Sequence, residues 1–337
     1  MLYEVLRRHQ CLDVLPEPVL AQLRTECLEN RLRNQLLRTE LTNLILGFAE
    51  EGISIVLLKG AATFADNLYG AAGGRAMLDL DLLIRAHEVD AARAFLSARG
   101  YEEVADEGRM PTGGPTDDRH AHINGYRKPG SPLRVELHYN IAYGQGGRIL
   151  SAEQGWRTSV AAAVDGVTTL TLSPTCRLIH NTVHGLIPER DYIKGEIRLW
   201  HIAEFAWLAE RYAGEIDWQV WLHAAEKEQA TTPFLAWLLL AHELLAMPLP
   251  EVITIDFWSR LQSRRLKSAT LLHYRERDRR FPWPDRLFLL LHRCYYYCHL
   301  PGWVWRNICY AEGWRNLPIR IRYFLSKMLS RRSWRKI

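Results

Sequence analysis

Two aspartates two residues apart interrupt an apolar run in GGRAMLDLDLLIRA (73–86). In an extended segment successive side chains alternate between faces, so Asp79 and Asp81 share one face while Leu78, Leu80, Leu82 and Ile84 share the other. A later segment, LRVELHY (133–139), repeats the pattern, with Val135 and Leu137 on one face and Arg134, Glu136 and His138 on the other. Like charges this close are unfavourable unless a cation or water compensates them. Same-face residues on one strand sit about 6.5–7 Å apart, and a neighbouring strand lies about 4.8 Å away. Three carboxylates from two adjacent strands can therefore converge on one or two Mg²⁺ ions, which phosphoryl-transfer sites hold about 3.5–4 Å apart. The alternative is a solvated surface strand.

Around the carboxylates stand groups suited to phosphate. ISIVLLKG (53–60) is a β-branched, apolar run and is predicted as a buried strand ending in Lys59-Gly60. A helix is predicted over 61–69. Gly60 would let the backbone and the helix N-terminus approach a phosphate, with amide N–H groups aimed at the anion. Arg75 could hold a triphosphate in bidentate fashion. Lys59 suits either a phosphate contact or a snorkelling structural role.

The elements needed to position these groups are visible in the patterning. A long helix is predicted over 17–51, its apolar face marked by Leu20, Leu23, Leu28, Leu32, Leu36, Leu41 and Leu44. The aspartate strand is placed at about 77–84 and a short helix at 87–100. YEEV is a possible strand, 105–119 a loop, and 120–139 a hairpin with a longer turn. From Pro174 onward the pattern is almost wholly helical, with starts near Pro174, Gly195, Asp217, Thr232 and Pro284. The composition shift at about 150–173 is the best domain boundary. The expected organisation is an N-terminal helical segment (1–52) packed on a catalytic domain (53–150), then a helical C-terminal domain (174–337) with a basic tail.

Taken in order, VLLKGAA (56–62), LYG (68–70), Arg75, LDLDLLI (78–84), GY (100–101) and VELHYNI (135–141) resemble the bacterial uncharacterised nucleotidyltransferase family, within the polymerase-beta-type nucleotidyltransferase superfamily. LIHNTVHG (178–185) and EIDW (215–218) extend the likeness, which covers roughly residues 30–230. The resemblance implies an α+β nucleotidyltransferase fold, with a small mixed sheet flanked by helices and followed by a helical domain. It implies a bacterial source and Mg²⁺ or Mn²⁺ held by Asp79, Asp81 and Glu136, with Glu136 alternatively the general base. A nucleoside triphosphate such as ATP would be co-substrate at Lys59, Gly60 and Arg75, and His138 would orient the acceptor or a phosphate. The nucleoside monophosphate would pass to a hydroxyl or phosphate of a small molecule, saccharide, peptide, protein or RNA, releasing pyrophosphate. Two positions depart from the pattern. Ala61-Ala62 follow Lys59-Gly60 where the superfamily usually has a phosphate-binding Ser, and His201 in WHIAE stands where an Asp is expected.

Composition is consistent with a folded protein: 337 residues, 48% hydrophobic and 24% charged. MLYEVLRRHQ lacks the apolar stretch of a signal peptide, and 234–247 is too short and too interrupted to span a bilayer. Together with six scattered cysteines this leads to the expectation of a cytoplasmic protein. The net charge of +5 is concentrated in residues 315–337, which carry eight Lys or Arg and no acid, leaving −3 elsewhere. Such a tail suits peripheral contact with an anionic membrane or RNA, a protein partner, or a solvated helix end. His180 and His184 have the spacing of metal ligands on one helix face, but Asn181 stands where the zinc-protease signature needs Glu, so packing or cleft lining is the better reading. HRCYYYCH (292–299) is read as aromatic helix packing rather than a zinc site. Two rivals to nucleotidyl transfer are a metal-dependent phosphohydrolase on the same carboxylates and a non-catalytic scaffold that recruits a partner, RNA or membrane through its helical half.

Overall fold

The computed structural model describes residues 2–8, 10–69, 74–104, 121–187, 191–275, 288 and 291–292. The predicted loop at 105–119, the helix start at Pro284, Cys294, Cys298, His299 and the basic tail lie outside these residues. In chain order the elements are α1 (Leu2–Arg8), α2 (Glu17–Glu50), β1 (Val56–Leu57), α3 (Lys59–Asp66), β2 (Asp79–Leu83), α4 (Val89–Ala98), β3 (Glu102–Val104), β4 (Gly125–Arg127) and β5 (Arg134–His138). They continue with α5 (Gln145–Ile149), α6 (Ala152–Arg157), β6 (Val160–Val164), β7 (Val167–Thr171), α7 (Pro174–Leu186), α8 (Asp191–Lys194), α9 (Leu199–Arg211), α10 (Trp218–Lys227), α11 (Thr231–Leu245) and α12 (Phe257–Arg275).

The seven strands form one mixed sheet in the order β3-β4-β5-β2-β1-β7-β6. β2 pairs in parallel with β5 and β1 with β7; the other pairings are antiparallel. The fold is thus α+β, a mixed sheet flanked by helices and followed by further helices, as the family resemblance implies.

The period of two divides the sheet between two cores. Leu80, Leu82 and Ile84 of the β2 segment and Val135 and Leu137 of β5 join Leu37, Leu41, Leu44 and Phe48 of α2 and Phe95 of α4. Leu83, one step out of phase, joins the other core with Phe205, Trp221, Phe234 and Trp237 from the helical half. The face of β2 that carries Asp79 and Asp81 is therefore the face turned toward the helical half.

Local chemistry ends and starts these elements where function needs them. Ser173 accepts a hydrogen bond from the Cys176 amide and Pro174 opens α7. Asp217 accepts from the amides of Gln219 and Val220 and starts α10. Trp221 donates its indole N–H to Thr182 Oγ1 at 3.2 Å, so α10 and α7 share a satisfied buried contact.

Four expectations need correction. The strand placed at 53–60 is hydrogen-bonded only at Val56–Leu57, and α3 begins at Lys59 rather than after Gly60. Leu28, Leu32 and Leu36 are exposed because the buried stripe of α2 runs through Leu20, Cys27, Asn34, Leu37, Leu41, Leu44 and Phe48, off the face those three share; Leu78 is exposed as well. Residues 160–171, left between domains by the patterning, form the β6–β7 hairpin and extend the sheet past β1. Asp165 and Gly166 both have positive φ (49° and 81°), as the tight two-residue turn joining these strands requires.

Candidate active site

The parallel register of β2 and β5 sets Asp81 directly opposite Glu136 and Asp79 opposite Arg134. Asp79, Asp81, Glu136 and His138 thus converge on one face, as the alternation in the sequence predicts. Asp81 and His138 are each 2% exposed and Glu136 is 9% exposed, so these are not solvated surface charges. His138 Nε2 lies 2.8 Å from Asp81 Oδ1 and 3.7 Å from Glu136 Oε2. His138 is therefore turned into the carboxylates, where it braces them.

β1 delivers the cation. The Leu58 amide bonds to the Asp81 carbonyl at 3.0 Å, bringing the end of β1 against the middle of β2. Lys59 follows with φ at +44°, a left-handed conformation uncommon for a residue with a Cβ. In that turn its Nζ sits 2.6 Å from Asp81 Oδ1. Gly60 packs against Met77: a Cβ there would lie 2.5 Å from Met77 Sδ, so the methionine side chain would have to shift. Ala61 and Ala62 are buried in the sheet-side core and carry no hydroxyl for a phosphate, although Ala62 also lines the cleft beside Lys59 and Arg75.

The electrostatics are those of a site short of positive charge. Burial, followed by the charges of Asp81 and Glu136, pushes Asp79 up to about 6. Asp81 is held well below the usual carboxylate range: burial opposes this, but the Lys59 charge and the His138 hydrogen bond outweigh it. Glu136 stands at about 2, where burial is outweighed by the hydrogen bond to His138 and the charge of His122.

Ligand atoms of Asp81, Glu136 and His138 lie within 4.8 Å of one another, the one such cluster of three among the described residues. Two carboxylates and one imidazole, with a third carboxylate pushed up by its neighbours, fit a divalent cation of the Mg²⁺ or Mn²⁺ kind. His180 and His184 do not form such a cluster; their ring centroids are 6.3 Å apart. Within HRCYYYCH, His292 instead meets the Lys194 carbonyl at 2.8 Å.

Arg75 is fixed from two sides. Asn34 of α2 donates to its backbone carbonyl at 2.7 Å. Its guanidinium meets Glu204 of α9 at 2.6 Å and lies over the Trp200 ring, 4.6 Å from the centroid. Tyr69 donates to the same Glu204 oxygen. Sequence reasoning missed Glu204, although it stands one helical turn after His201, the position where the resemblance led one to expect an acid. His122 was missed too: it bridges to β5 opposite His138, and its Nε2 is 3.8 Å from Glu136 Oε2.

Lys59 and Arg75 also line a narrow cleft, about 20 Å³ in volume, between the sheet and the helices α7 and α9, with His180, Asn181, His184 and His201 on its helical wall. The end of the sheet thus opens onto a polar wall supplied by the helical half.

A model of the family described as uncharacterised nucleotidyltransferase matches residues 1–246. No curated protein matches the chain. Among solved structures, the antibiotic-resistance factor ANT(2'')-Ia is similar at 14% identity over 58% of this chain and 95% of its own, with a TM-score of 0.40. An antigenic nucleotidyltransferase-like protein from Paracoccidioides brasiliensis is similar at 18% identity over 52% and 76% of the respective chains, with a TM-score of 0.35. Among the described residues no helix is long and apolar enough to cross a membrane.

Proposed function

The chain belongs to the uncharacterised nucleotidyltransferase family, and from that premise we propose that it transfers a nucleoside monophosphate from a nucleoside triphosphate to an acceptor at the Asp79–Asp81–Glu136 face. The observation that carries this reading is the cross-strand pairing of Asp81 with Glu136. It gathers buried carboxylates on one face beside a lysine and an arginine.

Asp79, Asp81 and Glu136 would hold Mg²⁺ or Mn²⁺, with His138 keeping Asp81 and Glu136 oriented. The bound ion would neutralise charge on the triphosphate and on the departing pyrophosphate. Lys59, the amide of Gly60 and Arg75 bind and orient the triphosphate. An acceptor oxygen forms a bond to the α-phosphorus as the bond to the bridging oxygen breaks. Pyrophosphate leaves with the electron pair, and a carboxylate of the trio takes the acceptor proton. Burial of the face excludes water, which disfavours simple hydrolysis.

The test is thermal stability with each nucleoside triphosphate, with and without Mg²⁺, for the wild type and an Asp79→Asn/Asp81→Asn variant. A ligand at about 100 times its dissociation constant adds about 2.7 kcal/mol. A Mg²⁺-dependent shift with at least one nucleotide, absent in the folded variant, is the expected result. No shift with any nucleotide would overturn the reading in favour of a scaffold, and free nucleoside monophosphate without a labelled acceptor would favour hydrolysis.

A further inference from the structure

The arginine that the transfer reading gives to the triphosphate is held by a carboxylate from the helical half. Glu204 Oε2 meets Arg75 at Nη1, at 2.6 Å. The Tyr69 hydroxyl, 3.5 Å from the same nitrogen, donates to the same carboxylate oxygen. Burial, and then the charge of Glu204, keep the Tyr69 phenol well above its ordinary value, so it retains the proton it donates. Arginine and carboxylate often pair as a fork through two nitrogens. Here a single nitrogen is engaged, and the N–H groups of Nη2 and Nε stay outside the pair.

The other contacts fix the plane of the guanidinium. It lies over the Trp200 ring, 4.6 Å from the centroid. Its Cζ stands 3.6 Å from the point where a side chain on Gly60 would begin, so it covers the first turn of α3 beside Lys59. Asn34 donates to the Arg75 carbonyl at 2.7 Å and anchors the backbone. An unanchored arginine loses rotamer freedom when it meets a ligand, whereas one already pinned presents its open edge in a set direction. Glu204 also subtracts charge from the site. Lys59 still attracts phosphate as a point charge, but a bidentate bond needs the guanidinium plane to be aimed, and only the pairing supplies that. Phe205 and Leu208, beside Glu204 on α9, belong to the core of the helical half, so the carboxylate is itself rigidly placed.

We propose that Glu204 is a positioning residue for the nucleotide: it holds Arg75 by Nη1 so that the edge formed by Nη2 and Nε meets the triphosphate. The helical half thereby becomes part of the nucleotide site. The proposal rests on the transfer reading above and adds to it the residue of α9 that orients Arg75.

The test is calorimetric titration of the full chain with ATP, GTP, CTP and UTP in the presence of Mg²⁺. The proteins compared are the wild type, Glu204→Gln, Arg75→Gln and the double variant. For a nucleotide that the wild type binds, Glu204→Gln should weaken binding by about tenfold or more. In the Arg75→Gln background the same substitution should change binding by less than about twofold, because Glu204 then has nothing to position. A general loss of stability would instead weaken binding equally in both backgrounds. Glu204→Gln leaves a buried arginine unmatched, so if it does not fold, Tyr69→Phe takes its place in the cycle. That variant removes one hydroxyl at Glu204 and should weaken binding by about threefold with Arg75 present and hardly at all in the Arg75→Gln background. Unchanged or tighter binding by the folded variant, or equal weakening in the two backgrounds, would overturn the proposal and leave the transfer reading in place. A wild type that binds none of the nucleotides would overturn both.

Discussion

Glu204 Oε2 lies 2.6 Å from Arg75 Nη1, a buried ion pair joining α9 of the helical half to the segment that leads into the aspartate strand. Tyr69 donates to the same carboxylate oxygen, so the pair is hydrogen-bonded as well as charge-matched. Removing one partner of such a pair leaves an uncompensated buried charge, which costs about 3–5 kcal/mol. Glu204→Gln should therefore lower the unfolding free energy by that amount in urea titration. Arg75→Met/Glu204→Leu should recover much of it, because both charges are then gone. A Glu204→Gln protein within about 0.5 kcal/mol of wild type would show that the pair is not buried in solution.

Asp79 gives a pH dependence of definite sign. Its folded-state value of about 6 lies above the ordinary 3.8, burial being the first cause and the charges of Asp81 and Glu136 the next. Its contribution to stability is thus present below pH 4 and lost as pH rises through 6. In metal-free protein Asp79→Asn should be more stable than wild type by about 2 kcal/mol at pH 8 and nearly equal to it at pH 4. Chemical denaturation at the two pH values checks this, and an equal difference at both would refute it.

Lys59 combines a needed charge with an unfavourable backbone, at φ +44°. Glycine adopts that conformation without a Cβ penalty, so Lys59→Gly should be more stable than Lys59→Ala by about 1 kcal/mol, although both lose the ion pair to Asp81. Both should weaken Mg²⁺-dependent nucleotide binding alike. Paired melting curves and nucleotide titrations measure the two effects separately.

The neutral histidines act on the acid side. His180 falls from 6.5 to about 3, through burial first and the Lys59 charge second. A depressed value means stability that is present above pH 6.5 and lost as pH falls toward 3. At pH 5 the loss through His180 alone is about 2 kcal/mol. A His180→Gln variant should show a correspondingly smaller drop in unfolding free energy between pH 7.5 and pH 5; an unchanged drop would place the proton uptake elsewhere.

How far the site is legible in the sequence depends on the range of each signal. The alternation of Leu80, Leu82 and Ile84 against Asp79 and Asp81 is local, and it separates core from site within a single strand. The β6–β7 hairpin also has a local signal, Asp165-Gly166 between VAAAV and VTTLT, that the composition shift obscures. Leu28, Leu32 and Leu36 show the limit of periodicity: α2 carries leucines on more than one face, and spacing alone does not say that the face of Leu37, Leu41 and Leu44 is the one that packs. Glu204 has no local signature at all, because its partner Arg75 is 129 residues away.

The sequence by itself determined the residue types and their phase: two aspartates on one strand face, a glutamate and a histidine on another, and a Lys-Gly step between strand and helix. These follow from nearest-neighbour sterics and a side-chain period of two, which act over a few residues. Only the tertiary structure decided that Asp81 faces Glu136, that Lys59 turns back onto Asp81, and that α7 and α9 close a histidine-lined wall over them. Those outcomes are set by strand register and helix packing, where the burial of two separate cores selects among many locally equivalent pairings.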